Sequence, residues 1–308
     1  MRELIIQEND AEQRLDKFLQ KKFPTLPKSL MYKYIRNKNI KVNKKKCDIS
    51  YKLKIDDILT FYISDEFFDV DLDYDFLKAS NDLEVIYEDN NLLIVDKPVG
   101  LIVHSDINES IDTLINRVKL YLYNNSKYDP KLEHSFVPSL VHRIDRNTSG
   151  LVIIAKNAST LRELNSYIRD NLIDKYYLCL VEGCLNKRED TLVSYHKKIE
   201  GNKVKIVNKD SEGYKKVVLA YKVLSCKNNQ SLLEIKLITG KSHQIRAQMA
   251  NINHPLIGDY KYGSRNRQQE YQALCAYKIV FNLPKNDALS YLNYLKIKID
   301  KINFNIKD

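Results

Sequence analysis

In "LVHRIDRNTSGLVIIAK", residues 140–156, Asp145 stands between Arg143 and Arg146, just ahead of an apolar stretch. A positive charge nearby favours the ionised form of a carboxylate. The run His, Arg, Arg, Asn, Thr, Ser, Gly does not make a core strand, so Asp145 belongs to a loop that feeds one. Rigid scaffolds often carry their reacting groups on such loops. Two readings are open. Asp145 is either a surface ion pair where a strand begins, or an ionised acid held for an anionic substrate.

The elements that would position this loop are readable around it. "LVIIAK" is a buried strand, and "LEVIYEDNNLLIVDKPVG" is strand, turn, strand, broken at Lys97-Pro98 and turned at Gly100. "SIDTLINRVKLYLY" and "ASTLRELNSYIRDNLI" have helical periodicity, the second with Ser159 or Thr160 near its cap. "DKYYLCLVEG" is a strand ended by Gly183, and "LLEIKLITGKSHQIRAQMANINHPLIGDYKYG" gives strand, turn, helix and return loop.

Composition bounds the class. The chain has 308 residues, 44% apolar and 29% charged, enough for one large domain and a small one. Its apolar runs are strand-length, so no membrane span is expected, and the acidic start argues against a signal peptide. Five cysteines without a Cys-x-x-Cys pair predict neither a disulfide framework nor a zinc site, and a reducing, cytoplasmic setting. The six histidines show no metal-ligand spacing. No metal and no cofactor are expected, and the chain is expected to act as a monomer.

The net charge of +10 points to a polyanionic partner. Residues 1–64 hold 15 Lys and Arg against 8 Asp and Glu, a net of +7, whereas residues 65–80 hold six acids and one lysine. A basic module, an acidic solvated linker and a larger body follow. In the module, "AEQRLDKFLQKKF" places Leu15, Phe18 and Leu19 at helical spacing among Arg14 and Lys17. "TLPKSLMYKYIRNKN" predicts a second helix opened at Pro27, with Leu30, Tyr34 and Ile35 inward and Lys28, Lys33 and Arg36 outward. "IKVNKKK" and "LKIDDILTFYI" then read as a small hairpin.

Through "RLDKFL", "IRNKNIKVN" and "IDDIL", residues 12–64 resemble the small RNA-binding domain shared with ribosomal protein S-four. Where that family usually has glycines, this chain has Lys38-Asn39 and Lys44, and Asn39 is expected to take the left-handed backbone. The body resembles the RluA-type RNA pseudouridine synthases. "HRIDRNTSG" is similar to their catalytic segment, with "IVDKPVGLIVH", "DKYYLCLVEG" and "LITGKSHQIRAQMANINHPLIGDYKYG" following the family's other segments in order. Lys241 replaces a common arginine and Cys275 a common histidine.

The resemblance implies an α+β fold: a small α/β RNA-binding module at 1–64, a linker at 65–80, and a catalytic domain at 81–308 on a mixed, largely antiparallel sheet. It implies Asp145 as the essential carboxylate, attacking the sugar or removing its 2′-hydrogen. Arg246 would pair with that carboxylate, and Tyr177 would stack on the uracil and handle the carbon-5 proton. Arg143 would fill the gap left by a flipped nucleotide. Arg143, Lys241, Arg14, Lys17, Lys28, Lys33 and Arg36 would contact RNA, His243 and Gln244 would support the loop, and Thr148 and Ser149 would serve the turn. The implied substrate is large-subunit ribosomal RNA, with transfer RNA as the alternative. A non-catalytic RNA-binding factor would have no use for Asp145, Tyr177 and Arg246 together. A hydrolase using Ser149 lacks the Gly-x-Ser-x-Gly frame.

Overall fold

The computed structural model describes residues 1–68, 74–201, 203–300, 302 and 304. The basic module contains β1 (Arg2–Ile5), α1 (Leu15–Lys22), α2 (Lys28–Arg36), β2 (Ile40–Val42) and β3 (Ile58–Phe61). Leu15, Phe18 and Leu19 of α1 are fully buried, as their spacing demands. On α2 the inward positions are Met31 and Ile35, while Leu30 and Tyr34 are only half-buried. The expected hairpin is a three-stranded sheet, because β1 pairs antiparallel with β3 on the side away from β2. The left-handed positions at these two turns are Lys38 (φ +66°), Asn43 (φ +49°) and Lys44 (φ +63°), not Asn39.

The acidic segment is not a free tether at either end. Phe67 packs into the module core, and Phe76 and Ala79 pack on Leu120. Residues 69–73 of the expected linker lie outside the described residues. The module also touches the body directly. Ser135 Oγ donates to Asp10 Oδ1 at 2.7 Å, and the Ala158 N–H donates to Asn9 Oδ1 at 3.1 Å.

The body runs β4 (Glu84–Glu88), β5 (Leu92–Lys97), α3 (Leu114–Asn124), β6 (Ser139–Leu140), β7 (Ser149–Ala155), α4 (Ala158–Arg169) and β8 (Ile173–Glu182). It continues through β9 (Glu189–Ile199), β10 (Lys203–Val207), β11 (Lys215–Lys227), β12 (Gln230–Leu237), α5 (Gln244–Asn251), β13 (Leu274–Phe281) and β14 (Lys296–Lys298). Among the described residues these strands form an 11-stranded sheet along β10-β9-β11-β12-β8-β13-β7-β5-β4, with β14 on β13 and β6 on β7. Only the β13–β7 pairing is parallel among the described residues.

Every residue of β7 is buried, as a continuous apolar run in a two-sided sheet must be. Leu151, Ile153 and Ala155 pack with Leu164 and Tyr167 of α4, whereas Val152 and Ile154 pack with α3 and α5. The face carrying α3 and α5 also carries Ile144 and Tyr177, so the Asp145 loop opens on that side. The cap of α4 is Asn157, whose side chain accepts from Thr160 N at 2.8 Å, rather than Ser159 or Thr160.

The expectation of no disulfide is corrected at one pair, Cys184–Cys226, with Cα atoms 5.8 Å apart. The β11–β12 turn at Asn228 and Asn229 is left-handed at both residues and folds over the end of β8. There Gly183 N donates to Asn229 O at 2.7 Å, and the two sulfurs meet beside it.

Candidate active site

The Asp145 loop is shaped by its own backbone. Thr148 N donates to Asp145 O at 3.0 Å, closing a tight turn immediately before β7. Gly150 then has φ +113°, and a Cβ there would lie 2.2 Å from Ala276 O, so only glycine lets β7 reach β13 at this point.

A second loop locks onto the first. Gly100 N donates to Arg146 O and Arg146 Nε donates to Gly100 O, both at 3.0 Å. Lys97 is fully buried behind them. Its ammonium donates to Pro98 O at 2.7 Å, Leu101 O at 2.8 Å and Arg146 O at 2.9 Å. Burial pushes Lys97 down to about 7, with the negative charge of Asp145 opposing. Three carbonyl acceptors match three ammonium protons, which opposes that fall further.

The partner of Asp145 comes from α5. Arg246 Nη1 donates to Asp145 Oδ2 at 3.0 Å. The rest of the same guanidinium is taken by Asp259, which accepts from Nε at 2.6 Å and from Nη2 at 2.8 Å. Asp259 is 1% exposed, Arg246 9% and Asp145 28%, so the paired charges lead from the interior out to the carboxylate. Arg246 is buried, but its two carboxylate neighbours raise it above the ordinary guanidinium range. Among the described residues, neither Arg143 nor Arg146 forms an ion pair with Asp145, so the flanking arginines are not what holds it.

Asp145 opens into a cleft of about 900 Å³, whose lining includes Arg143, Tyr177, Lys241, His243 and Arg246. Tyr177 projects from β8 and is buried, and burial first, then the charge of Asp145, pushes its phenol above the usual range. It is therefore a neutral phenol with an aromatic face. Arg143 and Lys241 are exposed. Lys175 and His142 also line the cleft. Burial pushes His142 down to about 3, and its Nε2 accepts from Ile153 N at 3.3 Å. Cys275 is buried on β13, where burial pushes its thiol up to about 11.

The structure thus brings Asp145, Arg246, Tyr177, Arg143 and Lys241 together. The other five residues expected to meet RNA lie on the module. Lys17, Lys28, Lys33 and Arg36 are exposed on its two helices. Arg14 is instead engaged by Asp16, with both hydrogen bonds at 3.0 Å. Lys97 and Asp259, positions of the quoted family segments with no role expected from the sequence, join the site, as does Tyr262. Among the described residues, no cluster of three His, Cys, Asp or Glu could hold a metal ion.

The model of the family described as RNA pseudouridylate synthase matches residues 91–251, and that of the S4 domain matches residues 13–59. An uncharacterised RNA pseudouridine synthase of Mycoplasma capricolum is 39% identical over 300 residues, 95% of each chain. A ribosomal large subunit pseudouridine synthase C of Buchnera aphidicola is 36% identical, covering 84% of this chain and 80% of that one. A ribosomal large subunit pseudouridine synthase D of Borreliella burgdorferi is 31% identical, covering 95% and 88%. Among solved structures, human RNA pseudouridylate synthase domain containing 4 matches with a TM-score of 0.55 at 20% identity, over 71% of this chain and 88% of that one. That likeness is one of fold.

Proposed function

The chain belongs to the RNA pseudouridine synthases and carries an S4 domain, and from that premise we propose that it isomerises uridines of large-subunit ribosomal RNA with Asp145 as the reacting carboxylate. The enzyme class is an isomerase that needs no second substrate. The bond between C1′ and N1 of uridine breaks, the base turns, and a bond between C1′ and C5 forms. The C5 proton leaves and N1 ends protonated.

One observation carries the reading: Asp145 faces the cleft with one oxygen held by Arg246 at 3.0 Å, beside the buried ring of Tyr177. A carboxylate beside the sugar stabilises the charge that develops near the anomeric carbon, as in glycoside cleavage. Arg246, fixed by Asp259, keeps that carboxylate oriented without any reorganisation during the reaction. Tyr177 offers the flipped uracil a stacking face and a hydroxyl. Its raised pKa makes the hydroxyl a donor in the resting site. Arg143, exposed at the cleft, fills the space the uridine leaves. Lys241 and the module's Lys17, Lys28, Lys33 and Arg36 hold phosphates, which position RNA without reading its sequence. We take 1–64 as the anchor and 81–308 as the catalytic body, with residues 65–80 between them packed on the module at one end and on the body at the other.

The ribosomal assignment is supported by the names of the two large-subunit relatives and by the +7 charge of residues 1–64. The test is a pseudouridine map of ribosomal and transfer RNA from cells lacking the protein. Defined pseudouridines should vanish from large-subunit RNA and return with the wild-type gene. Losses confined to transfer RNA would contradict the substrate.

A further inference from the structure

We propose that Tyr262 selects the tautomer of His243 that turns a ring N–H toward Asp145, so that His243 and Arg246 together hold Oδ2 and leave Oδ1 to the substrate. This inference rests on reading Asp145 as the reacting carboxylate.

The relay starts at a backbone group whose role is fixed. Val204 N, on β10, donates to the Tyr262 hydroxyl oxygen at 3.1 Å. His243 Nδ1 lies 2.9 Å from the same oxygen. The phenol still has its own proton to place, and among the described residues Nδ1 is the acceptor within reach. Nδ1 is therefore bare, and the ring proton of the neutral imidazole sits on Nε2. Nε2 faces Asp145 Oδ2 at 3.9 Å, the oxygen that already accepts from Arg246. This separation exceeds a hydrogen bond, as is common in substrate-free sites that tighten when occupied. Among the described residues, no hydrogen bond reaches Oδ1.

Two further features support the assignment. His243 has φ +52° and ψ +21°, a left-handed backbone at the start of α5 that glycine would adopt with less strain. That strain points to a role for the ring of His243. Burial also lowers the pKa of His243, which favours the neutral form that has a tautomer to select. Tyr262 meanwhile stands edge-on to the imidazole, with ring centroids 5.7 Å apart, and under the Arg246 guanidinium at 5.1 Å. One phenol thus orients both groups that address Oδ2. His243 and Tyr262 are positioning residues that act through Asp145.

The test is nitrogen-15 spectroscopy of the histidine rings in the full-length protein, run beside steady-state kinetics on ribosomal RNA. Wild type should show His243 neutral, protonated at Nε2 and bare at Nδ1. Tyr262→Phe should lose that preference and lower kcat by roughly tenfold or more, with little change in KM, because a small misplacement costs rate more than binding. His243→Gly relieves the backbone, so it should melt no lower than wild type while showing the same loss of kcat. A wild-type ring protonated at Nδ1 overturns the inference, even with Asp145 essential. So does Tyr262→Phe that folds and keeps wild-type kcat. Full turnover by Asp145→Asn would instead remove the reading on which the inference rests, whatever the ring spectrum shows.

Discussion

Arg246 gives two of its donors to Asp259 and only Nη1 to Asp145. The buried carboxylate therefore sets the direction of the guanidinium, and the half-buried one receives a donor already aimed. Breaking a buried charge pair from one side costs about 3–5 kcal/mol, because the remaining ion is left uncompensated. Asp259→Asn should lower stability on that scale and reduce turnover as well. Chemical denaturation and a pseudouridylation assay on the same preparation check both. Unchanged stability would mean that Arg246 does not depend on Asp259.

Lys97 couples stability to pH. Its folded pKa, about 7, lies below the ordinary lysine value of 10.5, so the unfolded chain binds more protons between these values. Stability rises with pH wherever that holds. The contribution of Lys97 is fully present above the unfolded value and is lost as pH falls through about 7. Wild type should therefore gain stability relative to Lys97→Met between pH 7 and pH 10.5. Paired melts across that window measure it. A constant difference would mean that the three carbonyls hold the ammonium through the whole range.

Tyr177→Phe separates stacking from proton handling. The ring face survives and the hydroxyl is lost. RNA affinity should hold while release of tritium from carbon-5 falls. Wild-type release would assign Tyr177 to stacking alone.

The module's exposed charges should act through salt. Replacing Lys17, Lys28, Lys33 and Arg36 by glutamine should weaken RNA binding and flatten the log–log salt dependence by roughly 0.7–0.9 for each phosphate no longer neutralised. Arg14→Gln should do less, because Asp16 already holds that side chain. An unchanged slope in the fourfold variant would remove the module as an anchor.

Much of this arrangement is legible in the sequence because periodicity and chemistry agree. The seven buried residues of β7 read as a core strand, and Asp145 reads as the loop ahead of it. What escapes is pairing made across the fold. The flanking arginines are the evident partners of Asp145, yet the turn commits Arg146 to Gly100, and Arg246 arrives from a helix 101 positions away. Asp259 carries no local sign of burial in "GDYKYG", and only its pairing with Arg246 explains it. β9 is hard to read because its buried positions are Ser194 and His196 while Val193 is exposed. β1 shows no period, being a strand of four residues mostly exposed to solvent. Cys184 and Cys226 meet only because a turn folds over the end of β8, which Cys spacing alone does not encode.

The central claim is tested most directly at Asp145. Asp145→Asn keeps the shape of the side chain and removes its charge. Asp145 is half-buried against the buried Arg246, so a purely structural role predicts a variant of lower stability whose turnover stays close to wild type. A catalytic role predicts a folded protein that binds ribosomal RNA normally and releases no tritium from carbon-5-labelled uridine. Full turnover by that variant, measured beside its RNA binding, would contradict the catalytic role.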